Sequence, residues 1–166
     1  MVSQVWPLLA FLGFFLATAL AYLARSGDQV PTEMAWGLFE PAALGLTASF
    51  ALHESAHAIA LKRIHSVTHI AMDRAAWRTS VIPEGTMTAR QMAGVALVGP
   101  GSCVVVGALI WLSDLDRPLA WWYLAHAVFL LPVFGDGRAL RHSLRMARKQ
   151  PCGEDTSPRA PKAPAP

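Results

Sequence analysis

Four long apolar runs decide what this chain of 166 residues can fold into. They cover residues 7–24, 41–61, 92–112 and 119–140, and each is close to the about 20 residues that an α-helix needs to cross a bilayer. Charged residues make up only 15% of the chain, whereas a typical soluble domain has about 25%. The sequence therefore predicts an all-α membrane protein whose four transmembrane helices form a single domain, residues 1–149.

The two ends of the chain need separate interpretations. A cleaved signal peptide is the alternative to a retained first helix, because Ala17-Thr18-Ala19 would suit a signal peptidase. Residues 1–6 contain no lysine or arginine, which such signals normally carry, so we favour a retained helix. Residues 150–166 are rich in proline and poor in apolar groups, which predicts a disordered tail.

The segments between the runs differ in length and character. Residues 25–40 contain Gly27 and Pro31 together with acidic residues, and we expect a short loop there. Residues 64–91, between the second and third runs, are polar and irregular. Within them, Val67–Met72 and Trp77–Ile82 fit two short strands, so we expect a loop that contains some β-structure.

Basic residues indicate how the chain is oriented in the membrane. The loops before the second run and before the fourth run carry only Arg25 and Arg117. The other basic residues of residues 1–149 lie around the 64–91 loop or after the fourth run: Lys62, Arg63, Arg74, Arg78, Arg90, Arg138, Arg141, Arg145, Arg148 and Lys149. The positive-inside rule then predicts a multi-pass protein of the cell membrane with both termini in the cytoplasm. The net charge of +3 reflects this topology, and the sequence shows no basic-aromatic pattern that would indicate nucleic-acid binding.

The second run contains the sequence His53-Glu54-Ser55-Ala56-His57, which we call the 53–57 motif. Residues four apart on a helix share one face, so the two imidazoles can bind one zinc ion. Glu54 beside them can take a proton from a water molecule at the metal. The alternative is a pair of polar residues that cap a bend in a packed helix. We favour the metal, because ionisable groups at membrane depth are costly unless they have a function.

A catalytic zinc usually has a third protein ligand, and Asp136 is the best candidate. With the second run ending in the cytoplasm at Lys62, a rise of 1.5 Å per residue puts His57 roughly 8 Å and His53 roughly 14 Å inside that boundary. The fourth run ends in the cytoplasm too, so Asp136 lies at a similar depth. The alternative is a helix-end acid in a turn. His126 precedes Asp136 by ten residues, about 15 Å on an ideal helix, so it cannot share the ion unless Pro132 bends the helix.

Three landmarks follow one another in the last three runs. They are the 53–57 motif, Gly99-Pro100, and Leu131-Pro-Val-Phe-Gly-Asp-Gly over residues 131–137. Together they resemble the site-2 protease family of intramembrane zinc metalloproteases. The resemblance covers about residues 45–142 and leaves the first helix and the tail outside.

The resemblance implies a function and a role for each matching residue. His53, His57 and Asp136 would be the zinc ligands, and Glu54 would be the general base and acid. The protein would hydrolyse peptide bonds of membrane-spanning proteins, as in regulated intramembrane proteolysis. The sequence does not identify the substrate, the residues that bind it, a regulatory partner or the oligomeric state.

Two departures from the family pattern keep a second function open. The family often has asparagine at the positions of Cys103 and Phe129, and its last motif is one residue longer between Pro132 and Asp136. These changes affect how substrate and oxyanion would be held. The alternative is a non-catalytic zinc-binding membrane protein, either a degenerate protease or a metal carrier. We expect no disulfide, because Cys103 lies in a predicted helix and Cys152 in the tail.

Overall fold

The computed structural model describes residues 2–75 and 78–149, which are mostly helical. The α-helices are α1 (Val2–Ser26), α2 (Val30–Glu40), α3 (Ala48–Lys62), α4 (Ala89–Leu112), α5 (Arg117–Leu124) and α6 (Gly135–Lys149). A π-helix over Pro41–Thr47 joins α2 to α3, and a 3₁₀ helix over Ala125–Leu130 extends α5. The predicted tail, residues 150–166, lies outside the described residues.

Two strands lie between α3 and α4. They are β1 (Val67–Ala75) and β2 (Arg78–Gly85), and they pair antiparallel as a two-stranded sheet. The pairing joins Ala75 to Arg78 near the tip and Val67 to Gly85 at the base, with an irregularity between Val67 and His69. Both strands fall within the polar 64–91 segment, and their main contacts with the helices are made with α3.

Two helices in the described residues are long and apolar enough to cross a membrane, Val5–Ser26 and Ala89–Leu112. The segments Arg117–Leu130 and Gly135–Arg148 meet at an angle of 41° and make a third span if they are taken together. The predicted second span is not among them, because α3 has only 15 residues and the rest of that run is the π-helix. The fold is thus that of a helical protein with two or three candidate spans, and four spans remain a prediction.

The helix α2 replaces the loop that we predicted over residues 25–40. The Asp28 carboxylate accepts a hydrogen bond from the Val30 N–H at 3.1 Å at the start of this helix. Pro31 lies in the first turn, where its missing N–H leaves no helix hydrogen bond unmade. The carboxylate of Glu33, also in the first turn, interacts favourably with the positive end of the helix dipole. The residues that suggested a loop are therefore the ones that start a helix.

The centre of the fold is α4, which packs against α3, α5, α6 and the 3₁₀ helix. It begins with a capping box, in which the Thr88 hydroxyl accepts from the Gln91 N–H at 3.2 Å and the Gln91 side chain accepts from the Thr88 N–H at 2.9 Å. By contrast, α1 packs mainly against α2. Residues of α3 and α6 thus meet on the surface of α4, away from α1.

The predicted fourth helix is broken at residues 131–134. Leu131 is extended, with φ −66° and ψ 143°, because a residue before proline is disfavoured in the helical region and Pro132 has no N–H to donate. A turn follows, in which the Phe134 N–H donates to the Leu131 carbonyl at 3.0 Å, and α6 begins at Gly135. The break changes the direction of the chain just before Asp136.

Candidate metal centre

Two histidines of α3 form the first part of the site. His53 and His57 lie one turn apart, and only 5% and 8% of their surfaces are exposed. Their Nε2 atoms are 3.1 Å apart. The His57 Nδ1 donates to the Val95 carbonyl of α4 at 2.8 Å. A neutral imidazole has one N–H, so this hydrogen bond leaves the lone pair of His57 on Nε2, facing His53.

The contact between α3 and α4 at this point depends on a glycine. A Cβ atom built on Gly99 would overlap the His57 ring. Gly99 is itself buried, and its lack of a side chain lets the two helices approach closely enough for His57 to reach the Val95 carbonyl. The Gly99 landmark in the sequence therefore has a direct packing role beside the histidine pair.

Asp136, the second residue of α6, completes the group. Its Oδ2 lies 3.1 Å from the His53 Nε2, and its Oδ1 lies 3.4 Å from the His57 Nε2. The side chain of Asp136 is 23% exposed, so the group of three residues is partly accessible from the side of Asp136. The structure thus brings together the three residues that the sequence suggested as ligands.

The distances between these atoms suit a bound ion. A tetrahedral ion held at about 2.0–2.1 Å from its ligands has edges of about 3.3 Å between them. The two Nε2 atoms, 3.1 Å apart, are close to such an edge, and the two carboxylate oxygens lie 3.1 Å from the His53 Nε2 and 3.4 Å from the His57 Nε2. His53, His57 and Asp136 are therefore a group that can hold a metal ion.

The turn before α6 holds Asp136 in place. A Cβ atom on Gly137 would overlap the backbone carbonyl of Leu131. Only glycine therefore fits where the first turn of α6 lies against the backbone of the preceding turn. The guanidinium of Arg138 donates to the Val133 carbonyl at 2.9 Å and adds a second link across the turn. The two residues that follow Asp136 are thus both in contact with the turn that precedes it.

Glu54, the predicted general base, follows His53 on α3 and is partly exposed. Its neighbour in sequence, His53, belongs to the group that can hold a metal ion. Its role in proton transfer stays a prediction.

An aromatic cluster of Phe50, His126 and Phe129 packs against His53. The ring of His53 lies 5.4 Å from that of His126 and 5.3 Å from that of Phe129, between centroids. Phe50 makes an edge contact with His126 at 4.9 Å. His126 is only 3% exposed, and the sequence analysis did not place it at the centre. Pro132 was the signal that the fourth run is not an ideal helix.

His126 also belongs to a second group of potential ligands. One ligand atom from each of His53, Cys103 and His126 lies within 4.8 Å of the others, and all three residues are buried. Cys103 is a free thiol that donates to the Ser49 carbonyl at 3.2 Å. Both groups contain His53, so the two cannot use the same nitrogen of that ring at once.

The described residues thus define a helical protein that has two or three candidate membrane spans and a buried His/Asp group that can hold a metal ion. Comparisons with protein-family models, with curated proteins and with solved structures find no match. Function must then be inferred from the site itself.

Proposed function

We propose that this chain is an intramembrane zinc metalloprotease, similar to the site-2 proteases, that hydrolyses peptide bonds of membrane-spanning proteins. The observation that carries the proposal is the convergence of His53, His57 and Asp136, whose nearest nitrogen and oxygen atoms are 3.1–3.4 Å apart in each pair. Asp136 is 79 residues from His57 in sequence, and a chance polar residue at a helix end has no reason to face both histidines.

The donor set supports zinc as the ion. Two imidazole nitrogens and one carboxylate oxygen are typical ligands of a catalytic zinc site, which leaves one position open for water or substrate. Zinc, when bound, would polarise a substrate carbonyl and make a water molecule more acidic. The hydrogen bond from His57 to the Val95 carbonyl would hold that imidazole in the tautomer that binds through Nε2.

Glu54 would move the proton. In this mechanism its carboxylate takes a proton from the attacking water and later returns it to the leaving amine of the cleaved peptide bond. The position of Glu54 next to His53 and its partial exposure support this role, because the carboxylate must meet both water and substrate.

The hairpin of β1 and β2 offers a way to hold an unwound substrate. In the described part of the chain the sheet has only two strands, so each has one edge to which an extended peptide can add. Successive residues of an antiparallel strand direct their N–H groups to opposite edges. Proline can therefore be placed singly at four neighbouring positions, Ala71, Met72, Val81 and Ile82, so that N–H groups of both edges are removed in turn. We expect at least one of these variants to bind zinc but to cleave poorly. Full cleavage by all four variants would contradict strand addition.

The proposed topology has four spans, with both termini and the hairpin in the cytoplasm. The helical path from Val30 to Lys62 would supply the second span, because α2, the π-helix and α3 are continuous along the backbone. The exposed arginines of α6 support a cytoplasmic end for the last span. The metal centre would then lie near the cytoplasmic face, where water can reach it.

The test is Glu54→Gln, assayed on tagged single-span membrane proteins that are co-expressed or reconstituted with the full chain. We expect a fall in cleavage of at least about 100-fold, as for loss of a general base, while one zinc per chain is retained. Glu33→Gln is the matched control, because Glu33 is exposed on α2 and lies outside the site. Cleavage by the Glu54 variant at the wild-type rate would refute the proposed mechanism.

A non-catalytic metal-binding protein is the second candidate. The observation that favours it is the apolar surroundings of His53, where Phe129 packs at 5.3 Å and the thiol of Cys103 is directed to the Ser49 carbonyl. Neither residue offers the amide that the related proteases often carry at these positions. Zinc binding without cleavage of any single-span protein, in the wild type as in the Glu54 variant, would favour this candidate.

A further inference from the structure

Two buried ring nitrogens near the metal centre have no hydrogen-bond partner among the described residues. They are Nδ1 of His53 and Nε2 of His126. Both rings are almost fully buried, with 5% and 3% of the residue surface exposed. Buried polar atoms without a partner are rare in proteins, so each such atom calls for an explanation.

The protonation of the two rings is complementary. The His126 Nδ1 donates to the Trp122 carbonyl at 3.0 Å, and the neutral ring therefore keeps its lone pair on Nε2. If His53 binds a metal through Nε2, its proton must lie on Nδ1. One unpartnered nitrogen is then a donor and the other an acceptor.

The positions of the rings agree with this pairing. Their centroids are 5.4 Å apart, and one ligand atom of each lies within 4.8 Å of the other. Metal-binding histidines usually donate their second N–H to a nearby acceptor, which fixes the tautomer and the orientation of the ring. Where two polar atoms are beyond direct reach, a single water molecule can bridge them.

We propose that His126 is the positioning residue of the metal centre, which accepts the N–H of His53, directly or through one water molecule, when a metal ion is bound. The inference rests on the proposed metal site of the preceding section. A chain of hydrogen bonds would then run from His53 through His126 to the Trp122 carbonyl. It would orient the His53 ring and strengthen its Nε2 as a ligand.

The competing explanation for the two unpartnered nitrogen atoms is a second metal ion, held by His53, Cys103 and His126. Two observations favour the hydrogen bond. The S–H of Cys103 donates to the Ser49 carbonyl, so the proton remains on sulfur, whereas a metal ligand is a thiolate. His53 would also have to lose both of its ring protons to bind one ion through each nitrogen.

The experiment measures zinc affinity of the full chain in detergent or nanodiscs by competition with a chromophoric chelator. The variants are His126→Leu, which removes the acceptor, and His126→Gln, whose amide can replace the Nε2 acceptor. All are made with Glu54→Gln, so that no measurement depends on cleavage. We expect His126→Leu to weaken zinc binding by about 10–100-fold and His126→Gln to recover most of this loss.

Further readouts separate positioning from mere packing. The thermal stability of the metal-free protein should be equal in the Leu and Gln variants, and the visible spectrum of the cobalt(II) form should change only in the Leu variant. Equal zinc affinity in the Glu54→Gln parent and in both double variants would overturn the inference while leaving the metal site intact. Two ions per chain, with one lost in Cys103→Ser, would overturn it as well. Absence of zinc binding in the wild type would instead refute the proposed function.

Discussion

The contact between Gly99 and His57 gives the sharpest test of how the metal centre is packed. In Gly99→Ala the added methyl group would lie 2.6 Å from the His57 Cε1 and would also overlap Nε2, the atom proposed to bind the metal. An ordinary van der Waals contact begins at 3.4 Å, so the ring or the helix must move by about 0.8 Å or more. The ring has little freedom, because its Nδ1 is hydrogen-bonded to the Val95 carbonyl of the same helix as Gly99.

The expected loss follows from this displacement. Overpacking of a well-packed interior typically costs about 1–3 kcal/mol of stability. A shift of this size at a metal ligand should lower zinc affinity by about 10–100-fold, or about 1.4–2.7 kcal/mol. Cleavage of a reconstituted substrate should fall by a similar or larger factor, because the geometry of the site governs the rate.

Gly101→Ala is the matched control for this substitution. Gly101 lies in the same helix, and a Cβ atom built there would meet no heavy atom within 4 Å. Zinc affinity, measured by chelator competition, and thermal stability should both stay at the wild-type level in this variant. Wild-type zinc affinity and activity in Gly99→Ala would refute the argument that the centre depends on close packing of α3 on α4.

Two further predictions address the turn before α6 and the topology. Gly137→Ala should weaken zinc binding by at least about 10-fold, because its Cβ atom would overlap the Leu131 backbone; Gly135→Ala, with open space around its Cβ, should not, and equal affinities would show that the turn is not needed. For topology, a membrane-impermeant maleimide should label a cysteine at exposed Ser113 from outside intact cells, in a chain without Cys103 and Cys152. Natural Cys152 should be labelled only after the cells are opened, and the reverse pattern would contradict cytoplasmic termini.

The sequence was sufficient to predict that His53, His57 and Asp136 lie together, because each of them carries an independent signal. The spacing of His53 and His57 places them on one helical face, and this needs no knowledge of tertiary structure. Asp136 could be added because the distribution of arginine and lysine predicted that two separate runs end on the same side of the membrane. The distances of 3.1 and 3.4 Å between its carboxylate and the two histidines agree with that expectation.

The course of the chain near prolines was not predicted correctly. Pro31 was interpreted as a loop residue although it lies in the first turn of α2. The fourth run was predicted as one helix over residues 119–140, but the turn at Pro132 separates α5 and its 3₁₀ extension from α6. A proline restricts local backbone angles, and whether the chain starts, bends or ends a helix there depends on packing that the sequence does not show.

The position of His126 illustrates the same limit. Its distance from the centre was derived from an ideal helix that continues to Asp136. The actual backbone changes from an α-helix to a 3₁₀ helix and then to an extended residue, so His126 faces His53. Contacts of this kind depend on how α3, α4 and the 3₁₀ helix pack together, and no spacing rule within one segment reveals them.

X-ray absorption spectroscopy of the zinc-loaded full chain tests the central claim most directly. Binding by His53, His57 and Asp136 predicts a first shell that contains only nitrogen and oxygen, at about 2.0–2.2 Å. Binding by the group of His53, Cys103 and His126 would add a sulfur atom at about 2.3 Å. A shell without sulfur that loses occupancy in Asp136→Asn is the result we expect. A zinc–sulfur distance, or full occupancy in that variant, would contradict the proposed metal centre.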